Sequence, residues 1–193
     1  AIVDGRPFLY DAAATSSNGE ASCSSCHVFG DFDSLGWDLG DPWGDLLNNP
    51  NPIEFNFFAD PDFHPMKGPM TTQSLRGMVG AGPMHWRGDR NGGFDAPLNE
   101  DLAFKQFNGA FEGLIGRTAQ LTTGEMQAYT DFILTSNYPP NPIRALDNSL
   151  DTNQQSGRNL YFNNNSDTGG LSITGLTCNQ CHVLDRAQGF FGG

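Results

Sequence analysis

Positive charge is scarce in this chain: ten Lys and Arg stand against 22 Asp and Glu, a formal net charge of −12 at pH 7. A surface of that sign repels phosphate backbones and anionic lipid, which speaks against nucleic acid and anionic membranes as partners. A basic partner would suit it, and so would plain solubility. Long apolar runs are lacking as well, and no stretch is long enough to span a bilayer. Histidine and cysteine are rare, at four each among 193 residues, yet both are concentrated where they matter. Apolar residues make up 37% and aromatic ones 11%, enough for a core and too many for a disordered chain.

All four cysteines fall in two pentapeptides, Cys23-Ser24-Ser25-Cys26-His27 and Cys178-Asn179-Gln180-Cys181-His182, leaving none for a disulfide elsewhere. C-x-x-C-H is the attachment signature of c-type haem. Two thiols at this spacing add to the two vinyl groups of one porphyrin while the next imidazole reaches its iron. The alternatives are two zinc half-sites or redox dithiols. Zinc would need its four ligands drawn together from both motifs, and a dithiol site gives no reason for a His after each. The reading is therefore two covalently bound haems, with His27 and His182 as proximal ligands. Covalent haem is attached outside the bacterial inner membrane, so the expected location is periplasmic or extracellular. The chain begins at Ala1 without a signal sequence and reads as a processed form.

The halves start alike. Gly5-Arg6-Pro7-Phe8-Leu9-Tyr10 precedes Cys23 by 18 residues, and Gly157-Arg158-Asn159-Leu160-Tyr161-Phe162 precedes Cys178 by 21. Each reads as a short amphipathic helix, a polar loop and the haem turn. Residues 28–63 show no period and are rich in Gly, Pro, Asp and Asn, with Trp37, Trp43, Phe55, Phe57 and Phe58 interspersed. This predicts a long loop wrapping an apolar group such as haem. Asp31, Asp33, Asp38 and Asp41 could ligate calcium, although their spacing does not match an EF-hand.

Near-helical spacing predicts helices over 99–116 and 123–135, with Thr122 and Glu125 as a capping box. Tyr138-Pro139-Pro140-Asn141-Pro142 ends the first domain, so the expected division is 1–142, a cytochrome c-like haem domain, and 143–193, a short haem-binding lobe. The fold class is mainly α: two cytochrome c-like lobes with long wrapping loops, the second incomplete.

The stretch His64-Pro65-Met66-Lys67-Gly68-Pro69, then Ser74-Leu75, then His85-Trp86-Arg87-Gly88, together with the paired haem motifs, resembles the bacterial dihaem cytochrome c peroxidase superfamily. The resemblance covers most of the chain. It implies a distal His shortly before Lys-Gly-Pro and a Trp lying towards the second haem, here His64 and Trp86. With two of four histidines proximal, the distal candidates are His64, His85, Met66, Met70, Met78, Met84 and Met126. For the first haem the resemblance favours His64, with Met70 and His85 next.

Only 11 residues follow His182, whereas the family continues past its second motif and supplies a distal Met. The second distal position is then expected to be open, filled by His85 across the domain contact, or filled from self-association or further chain. No acidic residue stands where the family's follows Trp-x-Gly, because Asn91-Gly92-Gly93-Phe94 and Asp95-Ala96-Pro97 intervene. Glu100, Glu112 and Glu125 are the acids at hand. The expected function is a dihaem electron-transfer cytochrome, alone or as a module of a larger redox protein, serving a redox partner, possibly a basic one. A peroxidase-type enzyme is the alternative.

Overall fold

The structure is a computed structural model, and it describes residues 2–48, 62–90, 99–163, 177–182, 184–185 and 190–191. Phe55, Phe57, Phe58 and residues 91–97 lie outside the described residues. The chain is mainly helical and divides into two compact units, Ala1–Asn137 and Tyr138–Gly193.

The first unit opens with three one-turn helices, α1 (Ile2–Gly5), α2 (Pro7–Tyr10) and α3 (Ala12–Thr15). Pro7 starts α2, where its missing N–H would have had no partner. Asp11 caps α3 by accepting the Ala13 N–H at 2.9 Å. Thr15 is fully buried and its hydroxyl reaches the Asp11 and Ala21 carbonyls at 2.8 and 3.0 Å. Ser16 Oγ accepts the N–H groups of Glu20 and Ala21. These bonds pin the polar loop and deliver the chain to the first cysteine motif in a fixed place.

Farther along come α4 (Glu100–Lys105), α5 (Ala110–Gly113) and α6 (Thr123–Ile133). The helix expected over 99–116 is broken between α4 and α5 by a 3₁₀ turn, Gln106–Gly109. There the Asn108 side chain leaves the local ladder and pairs with the Leu121 N–H and C=O, both at 2.9 Å. The capping box of α6 is present: Glu125 Oε2 accepts the Thr122 N–H at 2.8 Å, and Thr122 Oγ1 accepts the Glu125 N–H at 3.3 Å.

α1 packs on α6 so closely that a Cβ at Gly5 would lie 2.0 Å from the Ala128 carbonyl oxygen. Around this contact Leu9, Phe104, Phe111, Met126, Tyr129 and Ile133 form the core, with Cys23 packed against it. Tyr129 is the hub, its ring 5.1 Å from Phe104 and 6.1 Å from both Phe8 and Phe111. The loop expected over 28–63 contains a short strand, β1 (Gly36–Asp38), paired antiparallel with β2 (Pro69–Thr71) in the register Gly36 to Thr71 and Asp38 to Pro69.

The second unit carries α7 (Thr152–Asn163), α8 (Cys178–Cys181) and a two-residue antiparallel pair, β3 (Leu184–Asp185) with β4 (Phe190–Phe191). Among the described residues no helix is long and apolar enough to cross a membrane.

Candidate haem-attachment sites

The first motif forms a 3₁₀ turn, Cys23–Ser25, held at its start by Ser22, whose N–H donates to Ser25 Oγ at 3.1 Å. The His27 N–H closes the turn on the Cys23 carbonyl at 2.8 Å. The second motif is closed by the same bond, from the His182 N–H to the Cys178 carbonyl at 2.8 Å, and Gln180 Oε1 accepts the Thr177 N–H at 2.7 Å. The Tyr161 hydroxyl donates to the His182 carbonyl, tying α7 to this turn.

The His27 ring is placed from a distance. Its Nδ1 lies 2.8 Å from the Gln73 carbonyl, 46 residues on. A carbonyl only accepts, so the proton sits on Nδ1 and Nε2 carries the lone pair. Burial lowers the His27 pKa, against the Gln73 and Asp31 carbonyls, and keeps the ring neutral at pH 7. Arg76 clasps the next turn, with Nη2 donating to the Phe29 carbonyl at 2.8 Å and Nη1 3.2 Å from Asp31.

Both thiols of this motif are free. Burial pushes Cys23 up, opposed by a hydrogen bond with Tyr129; burial and the charge of Asp33 push Cys26 up. Reactive dithiols have lowered pKa values, so this turn lacks the electrostatics of a redox pair. Among the described residues no three His, Cys, Asp or Glu converge on one point as a metal site would. The four aspartates considered for calcium serve other ends. Asp33, Asp38 and Asp41 accept backbone N–H groups within their own turns, and Asp31 pairs with Arg76.

The other candidates lie in two segments that grip each other. Residues 84–90 form a loop closed by the Met84–Arg90 bridge, with His85 at a left-handed φ of 72°. A non-glycine residue in a sparsely populated backbone region costs about 1–3 kcal/mol and persists only where its surroundings impose it. Here they do: the Gly88 N–H bonds the His85 carbonyl at 2.9 Å, and His85 Nδ1 lies 2.6 Å from Asp89 Oδ1. The Asp89 side chain is only 2% exposed, with Arg87 and Arg90 each 3.3 Å from Oδ2. Burial would raise its carboxyl, but the His85 hydrogen bond and the charges of His85, Arg90 and Arg87 prevail and hold it well below the usual range.

Arg87 also donates to the His64 carbonyl and lies 5.0 Å over the Phe63 ring. His64 is exposed, and its Nδ1 accepts the Met66 N–H at 3.1 Å. Trp86, also exposed, donates from Nε1 to the Thr71 carbonyl at 2.6 Å. Met84 and Met126 are buried in the core, and Met78 packs against it. Met66 is exposed; Met70 sits in β2 opposite Trp37. Of the glutamates, Glu100 accepts the Gly80 N–H at 2.9 Å, Glu125 caps α6, and Glu112 is exposed on α5.

These residues fit a c-type haem at the first motif. The paired thiols and the His27 tautomer suit covalent attachment and axial ligation. Arg87 and Arg90 each bury an Nε–H with no partner among the described residues. Four of the ten basic residues, Lys67, Arg76, Arg87 and Arg90, fall within residues 67–90 of this acidic chain, where carboxylates such as haem propionates would be neutralised. Apolar side chains following the motif stand in the open, Phe29 at 76% and Trp43 at 93% exposure. Sequence reasoning had passed over Gln73, Asp89, Arg76 and Tyr129 as contributors. Only Asp89 left a local signal, four residues after His85 between two arginines.

No family model matches the chain, and no curated protein matches it in sequence. Among solved structures it is similar to a chain of the Kuenenia stuttgartiensis hydrazine synthase pressurised with 20 bar xenon, at 22% identity and a TM-score of 0.55. The match covers 95% of this chain and 48% of that one, so this chain spans about half the length of the one it resembles. At that identity the likeness is one of fold, and it agrees with a mainly helical, c-type cytochrome-like architecture.

Proposed function

We propose that the chain is a dihaem c-type cytochrome working by outer-sphere electron transfer, alone or as a module of a longer redox protein. One observation carries the reading: two C-x-x-C-H turns, each closed by a 2.8 Å bond from the His N–H to the carbonyl of its first Cys. Haem bound there supplies a reversible one-electron couple. The chain's own residues tether it through Cys23 and Cys26 or Cys178 and Cys181, orient His27 through Gln73, and supply positive charge from Arg76, Arg87 and Arg90. Trp86 is proposed to contact the haem region.

The reading draws on the resemblance of the motifs from His64 to Gly88 to the dihaem cytochrome c peroxidase superfamily. Carrier chemistry is preferred to peroxide reduction because Glu100 and Glu125 are engaged in backbone hydrogen bonds rather than free to move protons. The acidic surface favours a basic redox partner, and covalent haem implies a periplasmic or extracellular site.

Stopped-flow mixing tests this. The reduced protein should exchange electrons rapidly with a small basic cytochrome, more slowly as salt is raised. The half-reduced protein should turn over hydrogen peroxide slowly, and equally slowly after Glu112→Gln. Rapid peroxide turnover that Glu112→Gln abolishes would establish the peroxidase instead.

A further inference from the structure

This inference rests on the haem reading and concerns which residue meets the iron opposite His27. We propose that His85, oriented by Asp89, supplies the second axial nitrogen at the first haem, in place of His64.

An imidazole binds iron through Nε2 only when that nitrogen carries the lone pair, which places the ring proton on Nδ1. His64 has the opposite arrangement. Its Nδ1 accepts a bond from the Met66 backbone N–H, a group that can only donate, so the neutral ring holds its proton on Nε2. The His64 carbonyl is held in turn by Arg87, so swinging the residue inwards breaks contacts on both sides.

His85 has the required arrangement. Its Nδ1 faces Asp89 Oδ1 at 2.6 Å, and a carboxylate only accepts; in the neutral ring Nε2 then carries the lone pair, and it has no hydrogen-bond partner among the described residues. This is how His27 is set by the Gln73 carbonyl. An imidazole backed by a carboxylate is a common ligand arrangement, because the anion fixes the ring and strengthens its donor nitrogen. Asp89 is itself immobilised between Arg87 and Arg90, and the left-handed backbone at His85 is imposed by the closed 84–90 loop.

Two routes tie His85 to the His27 turn. Through the core, its ring meets Phe107 edge-on at 5.9 Å, Phe107 meets Phe104 at 5.9 Å, and Phe104 meets Tyr129 in the core against which Cys23 packs. Along the backbone, the neighbouring Trp86 bonds the Thr71 carbonyl, while His27 bonds the Gln73 carbonyl two residues on.

The test uses the full chain matured with haem, as wild type, His85→Ala, His64→Ala and Asp89→Asn. Intact mass comes first, since absence of covalent haem overturns both this inference and the function beneath it. With haem attached, EPR and near-infrared magnetic circular dichroism should show one low-spin haem turned high-spin in His85→Ala and returned to low-spin by added imidazole. His64→Ala should match the wild type. Asp89→Asn should stay six-coordinate with a raised potential at that haem, because the weakened donor favours ferrous iron. If His85→Ala does not fold, the potential of Asp89→Asn decides, and an unshifted value overturns the inference. An unchanged His85→Ala spectrum, or conversion by His64→Ala alone, overturns it too while leaving the cytochrome reading in place.

Discussion

The rings of His27 and Trp86 hang from backbone carbonyls two residues apart, His27 on Gln73 at 2.8 Å and Trp86 on Thr71 at 2.6 Å. Two residues of backbone span at most about 7 Å, so segment 71–73 fixes both rings within a small region. Removing the Trp86 anchor with Trp86→Phe should loosen residues 71–73 while leaving the helical core intact. Hydrogen exchange should show faster exchange in 69–75 and unchanged protection in α6. Equal protection throughout would mean that the bond contributes nothing to placing His27.

The α1–α6 contact depends on a missing side chain. Gly5→Ala places a Cβ 2.0 Å from the Ala128 carbonyl oxygen and 2.5 Å from Phe132 Cβ. Overpacking of this kind costs about 1–3 kcal/mol. Denaturant titration should show a lower midpoint with an unchanged slope; an unaltered midpoint would show that α1 moves aside freely.

Tyr129 lies at the centre of the aromatic core, against which Cys23 packs. Tyr129→Phe keeps the ring and its packing and should cost no more than about 1 kcal/mol. Tyr129→Ala leaves a cavity, costing about 3–5 kcal/mol by analogy with large aromatic truncations. Urea melts of both variants should preserve that order.

Glu125 gives a pH dependence with a definite sign. Hydrogen bonds from the Thr122 N–H, then the Thr122 hydroxyl, lower its pKa. A lowered folded-state pKa contributes stability above the unfolded carboxyl value, near 4.3, and that contribution is lost as pH falls through the folded value. Glu125→Ala should therefore melt lower at pH 7, with the gap from wild type narrowing below about pH 4. A constant gap would assign the effect to packing.

How far these features could be read beforehand depends on their range. The capping box of α6 and the turns of both C-x-x-C-H segments were legible, since Thr122 and Glu125, or Cys23 and His27, act within one turn. The break at Gln106–Gly109 was not, because it comes from Asn108 bonding Leu121, 13 residues away. Strand β1 was hidden for the same reason, its partner lying more than 30 residues on at Pro69–Thr71. The contrast between His64 and His85 was beyond reach too. Both are lone histidines in loops, and only the groups facing their Nδ1 atoms tell them apart.

The measurement that bears most directly on the account is the intact mass of the full chain, produced in a host that attaches c-type haem and extracted with acid and organic solvent. The account predicts the polypeptide mass plus two haems, falling to one haem when Cys178 and Cys181 are both replaced by Ser. A wild-type mass of bare polypeptide with four reactive thiols would contradict it.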